Sequence, residues 1–263
     1  MPQDGLFDFP YPTFQFRHGH QRMRGPCTIG FVSTAAPLVG ITNTWSHYVR
    51  RMISQPTPHP CPLCHTFGAW FFEDLWLTCP ECRGLFRPSH HFPTVVEERS
   101  RYAEHQNDVH DERFRAFVSP ITEHILADHH PGEEGLDFGS GIAPIVWHVL
   151  SEAGFKVEAY DPLFSNQPQL LEGQYDYITC CEVIEHFHRP GMEFQRLKNM
   201  LKSGGKLYCM TILHHEGIDF KNWHYRRDDT HVFVYQRETI AWIAERFGFS
   251  RAEIEGRLIV FDR

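Results

Sequence analysis

Beyond residue 95, apolar side chains recur at intervals of three and four, the spacing of one helical face. Residues 97–107 and 112–129 carry this pattern. In the second stretch Phe114, Phe117, Val118, Ile121, Ile125 and Leu126 recur at this spacing, with Pro120 an expected kink or break. The pattern then changes to a short apolar run, Leu136-Asp-Phe138, that ends in the turn Gly139-Ser-Gly141. A helix to about residue 153 should follow, since Pro144 stands where a first helical turn accepts proline. A second strand-like run at 156–160 closes on Asp161-Pro162. Near the other end, Ile240, Ile243, Ala244 and Phe247 keep the helical spacing and read as core.

Residues 1–52 hold neither period. They are rich in aromatic residues, Gly, Pro and Thr, carry Arg17, Arg22, Arg24, Arg50 and Arg51, and predict an irregular extension. The mildly apolar stretch 28–42 is broken by Ser33, Thr34, Pro37 and Gly40, which counts against a secretory signal; translation from Met52 is an alternative start. Lys and Arg total 25 against 33 Asp and Glu, a formal charge of -8, which opposes an electrostatic grip on RNA over the whole surface. A small molecule is therefore the expected partner. No run approaches the ~18 consecutive apolar residues of a membrane helix, and a cytoplasmic location is expected.

Eight cysteines in 263 residues are too sparse for a disulfide scaffold, and four of them are grouped. Cys61-Pro-Leu-Cys64 and Cys79-Pro-Glu-Cys82 are two C-P-x-C knuckles, each able to turn two thiolates toward one ion, and together they offer the tetrahedral set of a structural zinc site. A redox C-x-x-C would occur once, at a helix start after a strand, whereas here there are two. The aromatic stretch 67–78 between them is long enough for a small hairpin. Residues 53–95 are thus expected to form a zinc-ribbon module. His65, His90 and His91 are spare donors nearby, and Cys27, Cys180, Cys181 and Cys209 lack ligand spacing.

Strand, glycine turn, helix, strand and acid make the first half of a Rossmann-like βαβ unit, with Asp161 placed to accept from both ribose hydroxyls of a nucleotide. The third glycine of a dinucleotide fingerprint would fall on Pro144, which lowers NAD and FAD, and the absent G-K-[ST] excludes a P-loop. Leu136-Asp-Phe-Gly-Ser-Gly141, Asp161, the stretch from Tyr175 through Cys181, Glu182, Glu185 and His186, and Leu201-Lys-Ser-Gly-Gly-Lys206 resemble the motifs of class I S-adenosylmethionine-dependent methyltransferases. Ala143 replaces the last glycine of that family's loop. The chain also resembles a bacterial group in which a C-P-x-C module precedes the domain and in which stretches corresponding to 101–108, 160–162, 222–225 and 229–232 recur.

The resemblance implies an α/β fold over residues 96–263: a Rossmann-like seven-stranded mixed sheet with helices on both faces. Its fourth strand would be 175–181, its fifth 206–213, and its terminal hairpin 251–255 with 257–262. Asp137, Gly139, Ser140 and Gly141 would line the methionine end of S-adenosylmethionine, Asp161 the ribose, and Pro162 or Leu163 the adenine. Cys181 and Glu182 would reach the carboxyl edge of the sheet, where ligands of open sheets bind.

On a helix opening after the fourth strand, Glu182, Glu185 and His186 would share a face. Two carboxylates and an imidazole can serve as a base set, brace the helix start, or hold a divalent ion. The E-x-x-E-H pattern with a later histidine, here His231, resembles the metal site of small-RNA 2'-O-methyltransferases and of ubiquinone-pathway O-methyltransferases. A metal there would lower the pKa of a substrate hydroxyl, so oxygen is the favoured acceptor. The alternatives are an RNA methyltransferase with a zinc module and a non-catalytic cofactor-binding scaffold.

Overall fold

The computed structural model describes residues 59–104 and 107–263. The expectations for residues 1–52, including the Met52 start, lie outside the described residues.

The residues between the knuckles form the expected hairpin, β1 (Ala69–Phe72) with β2 (Trp76–Thr78), and β2 pairs with the two-residue β3 (Leu85–Phe86). Helix α1 (Val95–Ala103) opens on a capping box in which Thr94 and Glu97 satisfy each other's backbone amides. Helix α2 (Glu112–Asp128) runs through Pro120 without the expected break. Val118, Ile121 and Ile125 are buried along its face, and that packing holds the turn whose amide the proline lacks.

The large sheet contains β4 (Glu134–Phe138), β5 (Lys156–Tyr160), β6 (Tyr175–Cys181), β7 (Leu201–Met210), β9 (Arg251–Glu255) and β10 (Leu258–Asp262). Its order is β5-β4-β6-β7-β10-β9, with the first four strands parallel and β10 antiparallel to both neighbours. Helices α2 and α3 (Ile145–Glu152) cover one face; α4 (Pro190–Met200) and α5 (Arg237–Phe247) cover the other.

Among the described residues the sheet has six strands where seven were expected. The connection 161–174 holds only a 3-10 turn, Pro168–Glu172. A further parallel strand would need a crossover of roughly a dozen residues on each side. The fifth strand also begins earlier than expected, at Leu201, and the pairing shifts register between Tyr175 and Tyr177.

A second sheet, β1-β2-β3-β8, is completed by Phe233–Val234 (β8), which pairs with β3. The strands that follow each knuckle are therefore closed by a strand from the carboxyl-terminal part of the chain. No helix among the described residues is long and apolar enough to cross a membrane.

Candidate functional site

The end of β4 is built as a cradle. The amides of Gly139 and Ser140 both donate to the Tyr160 carbonyl, at 2.8 and 3.1 Å, which folds the loop back over the tip of β5. Gly139 is left-handed, at φ +79°, and a Cβ there would lie 2.6 Å from a Val183 methyl. Gly141, at φ +68°, has nothing within 4 Å of a Cβ position, so the backbone is open to a ligand there. The Ser140 hydroxyl is buried without a partner. An open left-handed glycine beside an orphaned hydroxyl fits the polar end of a cofactor.

Asp161 is placed at the tip of β5 as expected, but its carboxylate is already engaged. One oxygen accepts from Leu163 N and Phe164 N, at 2.8 and 3.0 Å, and the other from Gly141 N, at 2.9 Å. A carboxylate offers about four lone-pair sites, so roughly one remains for a ribose hydroxyl. Asp161 thus fastens the glycine loop to the turn after β5. Pro162 is exposed beside it, and Leu163 is half-buried.

Asp137 stands on β4, just before the loop. It is buried, its oxygens accepting from Thr179 Oγ1 at 2.7 Å and Trp147 N at 3.2 Å. Burial pushes this carboxyl up from 3.8 to about 6. A carboxyl whose folded pKa is raised contributes stability that is fully present below pH 3.8 and is lost as pH rises through about 6. Asp137→Asn should therefore gain about 3 kcal/mol relative to the unsubstituted protein between pH 4 and 7. Urea unfolding across that range checks it, and parallel curves would contradict it.

The E-x-x-E-H stretch does not form the expected α-helix. Glu182 is left-handed, at φ +53°, and only a 3-10 turn, Ile184–His186, follows. That backbone reversal separates Glu182 from the other two. Its carboxyl lies 3.7 Å from Arg257, and burial followed by the nearby charge of Glu185 raises it to about 8. Cys181 packs with the α2 and α3 cluster.

Glu185, His186 and His231 do come together, with one ligand atom from each lying within 4.8 Å of the others. Glu185 is fully buried and accepts from Tyr225 Oη at 2.7 Å and Thr211 Oγ1 at 3.1 Å. His186 Nδ1 bonds the Thr230 carbonyl at 3.0 Å, and His231 Nδ1 bonds the Tyr225 carbonyl at 2.7 Å. A carbonyl only accepts, so each Nδ1 carries a proton. Burial and the adjacent His186 lower His231 to about 4, which keeps it neutral. Imidazoles fixed through Nδ1 by backbone carbonyls are the outer arrangement of metal-ligating histidines. Tyr102 of α1 stands edge-on to His186, with ring centroids 5.4 Å apart, and Arg101 pairs with Asp228 at 3.1 Å.

A family model described as a methyltransferase domain matches residues 109–253, more than half of the chain. The chain belongs to this methyltransferase family. The sheet order and glycine loop place it with the class I, S-adenosylmethionine-dependent type. A ubiquinone biosynthesis O-methyltransferase from Pseudomonas paraeruginosa is 24% identical over 92 residues, 35% of this chain and 40% of that protein. The chain thus matches less than half the length of this curated relative. Among solved structures, an O-methyltransferase family protein from Burkholderia thailandensis is 16% identical, covers 65% of this chain and 64% of its own, and has a TM-score of 0.44. Phosphoethanolamine N-methyltransferase 2 from Haemonchus contortus, solved with S-adenosyl-L-methionine, is 20% identical over 62% of this chain and 47% of that one, with a TM-score of 0.45.

The family match begins after the cysteine quartet. Cys61, Cys64, Cys79 and Cys82 nonetheless converge, with Cys61 and Cys82 sulfurs 3.6 Å apart and those of Cys64 and Cys79 3.3 Å apart. Four zinc-sulfur bonds of ~2.3 Å set sulfurs about 3.8 Å apart in a tetrahedron, so the donor set fits a zinc ion. The knuckles are built alike: His65 and Arg83, each just after the second cysteine, are left-handed at φ 65° and 63°. Their amides return to Cys61 O and Cys79 O at 2.8 and 3.1 Å. No histidine belongs to this group among the described residues. Sequence reasoning missed Arg87, Thr211 and Tyr225 as supports of the site, since each acts through contacts distant in sequence.

Proposed function

We propose that the protein transfers a methyl group from S-adenosylmethionine to an oxygen of a small molecule, with Glu185, His186 and His231 holding a divalent cation beside the acceptor and the four cysteines holding a structural zinc. The observation that carries the acceptor chemistry is the convergence of the buried Glu185 carboxyl with two imidazoles, each tied through Nδ1 to a backbone carbonyl. The similar ubiquinone biosynthesis O-methyltransferase supports an oxygen acceptor.

Gly139, Ser140 and Gly141 would receive the methionine end of the cofactor and Asp161 a ribose hydroxyl. The bound cofactor supplies an activated methyl on sulfur, and the cation supplies charge that lowers the pKa of the acceptor hydroxyl. The chain's own residues align and shield. The Nδ1 bonds orient both imidazoles, Thr211 and Tyr225 orient the Glu185 carboxylate, and Tyr102 covers His186. Orientation of this kind is the main protein contribution to a displacement whose leaving group is already activated. Glu182 stands outside the cation set, its carboxyl 3.7 Å from Arg257.

Incubation with methyl-labelled cofactor and a small-molecule extract, with and without RNA, tests this. Label should appear in an alkali-stable methyl ether of low mass; label confined to RNA would overturn the acceptor class. Glu185→Gln and His231→Ala should each lower transfer by more than the ~10–100-fold that outer partners of a metal site are worth. Both should leave the zinc content unchanged, and full transfer by either variant would remove the cation from the mechanism.

A further inference from the structure

Arg87 lies between the cysteine quartet and the Glu185, His186 and His231 group. It is 3% exposed, although arginine is seldom buried, and its guanidinium lies 5.0 Å over the Trp76 ring. One terminal nitrogen donates to the carbonyls of Arg226 and Asp228, at 2.9 and 3.0 Å. The other donates to the Asp229 carbonyl and to its exposed carboxylate, both at 3.4 Å. The backbone amide of Arg87 donates to Val232 O at 3.0 Å. The segment that delivers His231 is thus held on both sides by this one residue. The fork spans the carbonyls of Arg226, Asp228 and Asp229, which a single ammonium could not reach together.

Continuous hydrogen bonds lead from the second knuckle to the ligands. Cys79 N bonds Gly84 O at 2.9 Å, which sets Leu85 and Phe86 of β3 opposite Val234 and Phe233 of β8. Val232 N, just before β8, bonds Glu185 O at 3.0 Å. His231 N bonds Asp228 O at 3.2 Å, one of the carbonyls that Arg87 holds. Both the Glu185 and the His231 segments therefore hang on the strand that the knuckle places.

We propose that Arg87 is a positioning residue that fixes the His231 imidazole for cation binding, so that the cysteine site controls the geometry of the second site through β3 and β8. The coupling to a cation rests on the function proposed above, whereas the positioning of His231 does not. Arg87 acts through the 226–229 segment.

Two readouts on the full chain separate these claims. The first, without added divalent metal, is the exchange rate of the His231 Nδ1 proton, followed by proton NMR. In Arg87→Lys exchange should speed up at least tenfold, because the Tyr225 carbonyl that receives this proton moves with the loosened segment. The second is Mn2+ affinity by calorimetry, expected to fall at least tenfold while zinc content stays at the wild-type level. Trp76→Phe, which removes the indole under the guanidinium but leaves its hydrogen bonds, should shift both readouts two- to threefold in the same direction and serves if Arg87→Lys does not fold. Asp229→Asn should change neither, since the carbonyls and not the exposed carboxylate carry the hold. Unchanged proton exchange in a folded Arg87→Lys or Trp76→Phe protein overturns the proposal. Faster exchange in a protein whose wild type does not bind Mn2+ upholds the positioning of His231 and removes the cation reading alone.

Discussion

Cys82→Ser is expected to abolish zinc retention and to unfold the β1-β2-β3-β8 sheet. A structural zinc site in a small module is worth on the order of 10–16 kcal/mol, while a whole domain is stable by only about 5–15 kcal/mol. β3 is two residues long, and Cys61, Cys79 and Cys82 are buried in the same cluster as Leu63, Leu77 and Phe86. Because β8 belongs to that sheet, the loss should spread to the segment bearing His231. Zinc analysis with limited proteolysis checks this: the variant should be cut between residues 59 and 95 under conditions that leave the wild type whole. A zinc-free variant that melts within a few degrees of the wild type would refute a structural role for the ion.

The second large effect concerns two neighbouring glycines that resemble each other in conformation and differ in surroundings. Gly139→Ala should cost roughly 2–5 kcal/mol, combining about 1–2 kcal/mol of left-handed strain with about 1–3 kcal/mol of overpacking against Val183. Gly141→Ala carries the strain alone, about 1–2 kcal/mol, since its Cβ would meet nothing within 4 Å. Its methyl would occupy the open side of the loop. Gly141→Ala should therefore fold and lose the thermal stabilisation given by S-adenosylmethionine. Gly139→Ala should melt early in the absence of ligand. Equal melting temperatures for the two apo variants would contradict this division.

What could be read from the chain and what could not divide along contact range. The strands at 156–160 and 175–181 begin and end where expected; in the first, exposed Lys156 and Glu158 flank buried Val157, and the second was implied by the family resemblance. The paired knuckles were legible because ligand spacing is local. The seventh strand was carried over from resemblance, and the short 161–174 connection prevents it. Glu182 was expected to join Glu185 and His186 on one helix face, but the left-handed φ of a non-glycine residue leaves no periodic signature. Phe233–Val234 is too short to show as a strand at all, and its partner is found only once the fold is formed. Arg87 carries no spacing or periodic signal, and it is buried by contacts 139–142 positions away.

That separation sets an order of events during synthesis. Arg87 leaves the ribosome 139 residues ahead of Arg226, on the order of 10–30 s earlier at typical elongation rates. Through that interval β3 presents an unpaired edge, and the apolar side chains of Leu85 and Phe86 lack the strand that buries them. The nascent chain therefore passes through a stage in which the knuckles can already take up metal while their sheet remains open. A chain stalled before residue 233 would keep that edge exposed, open to pairing with other nascent chains.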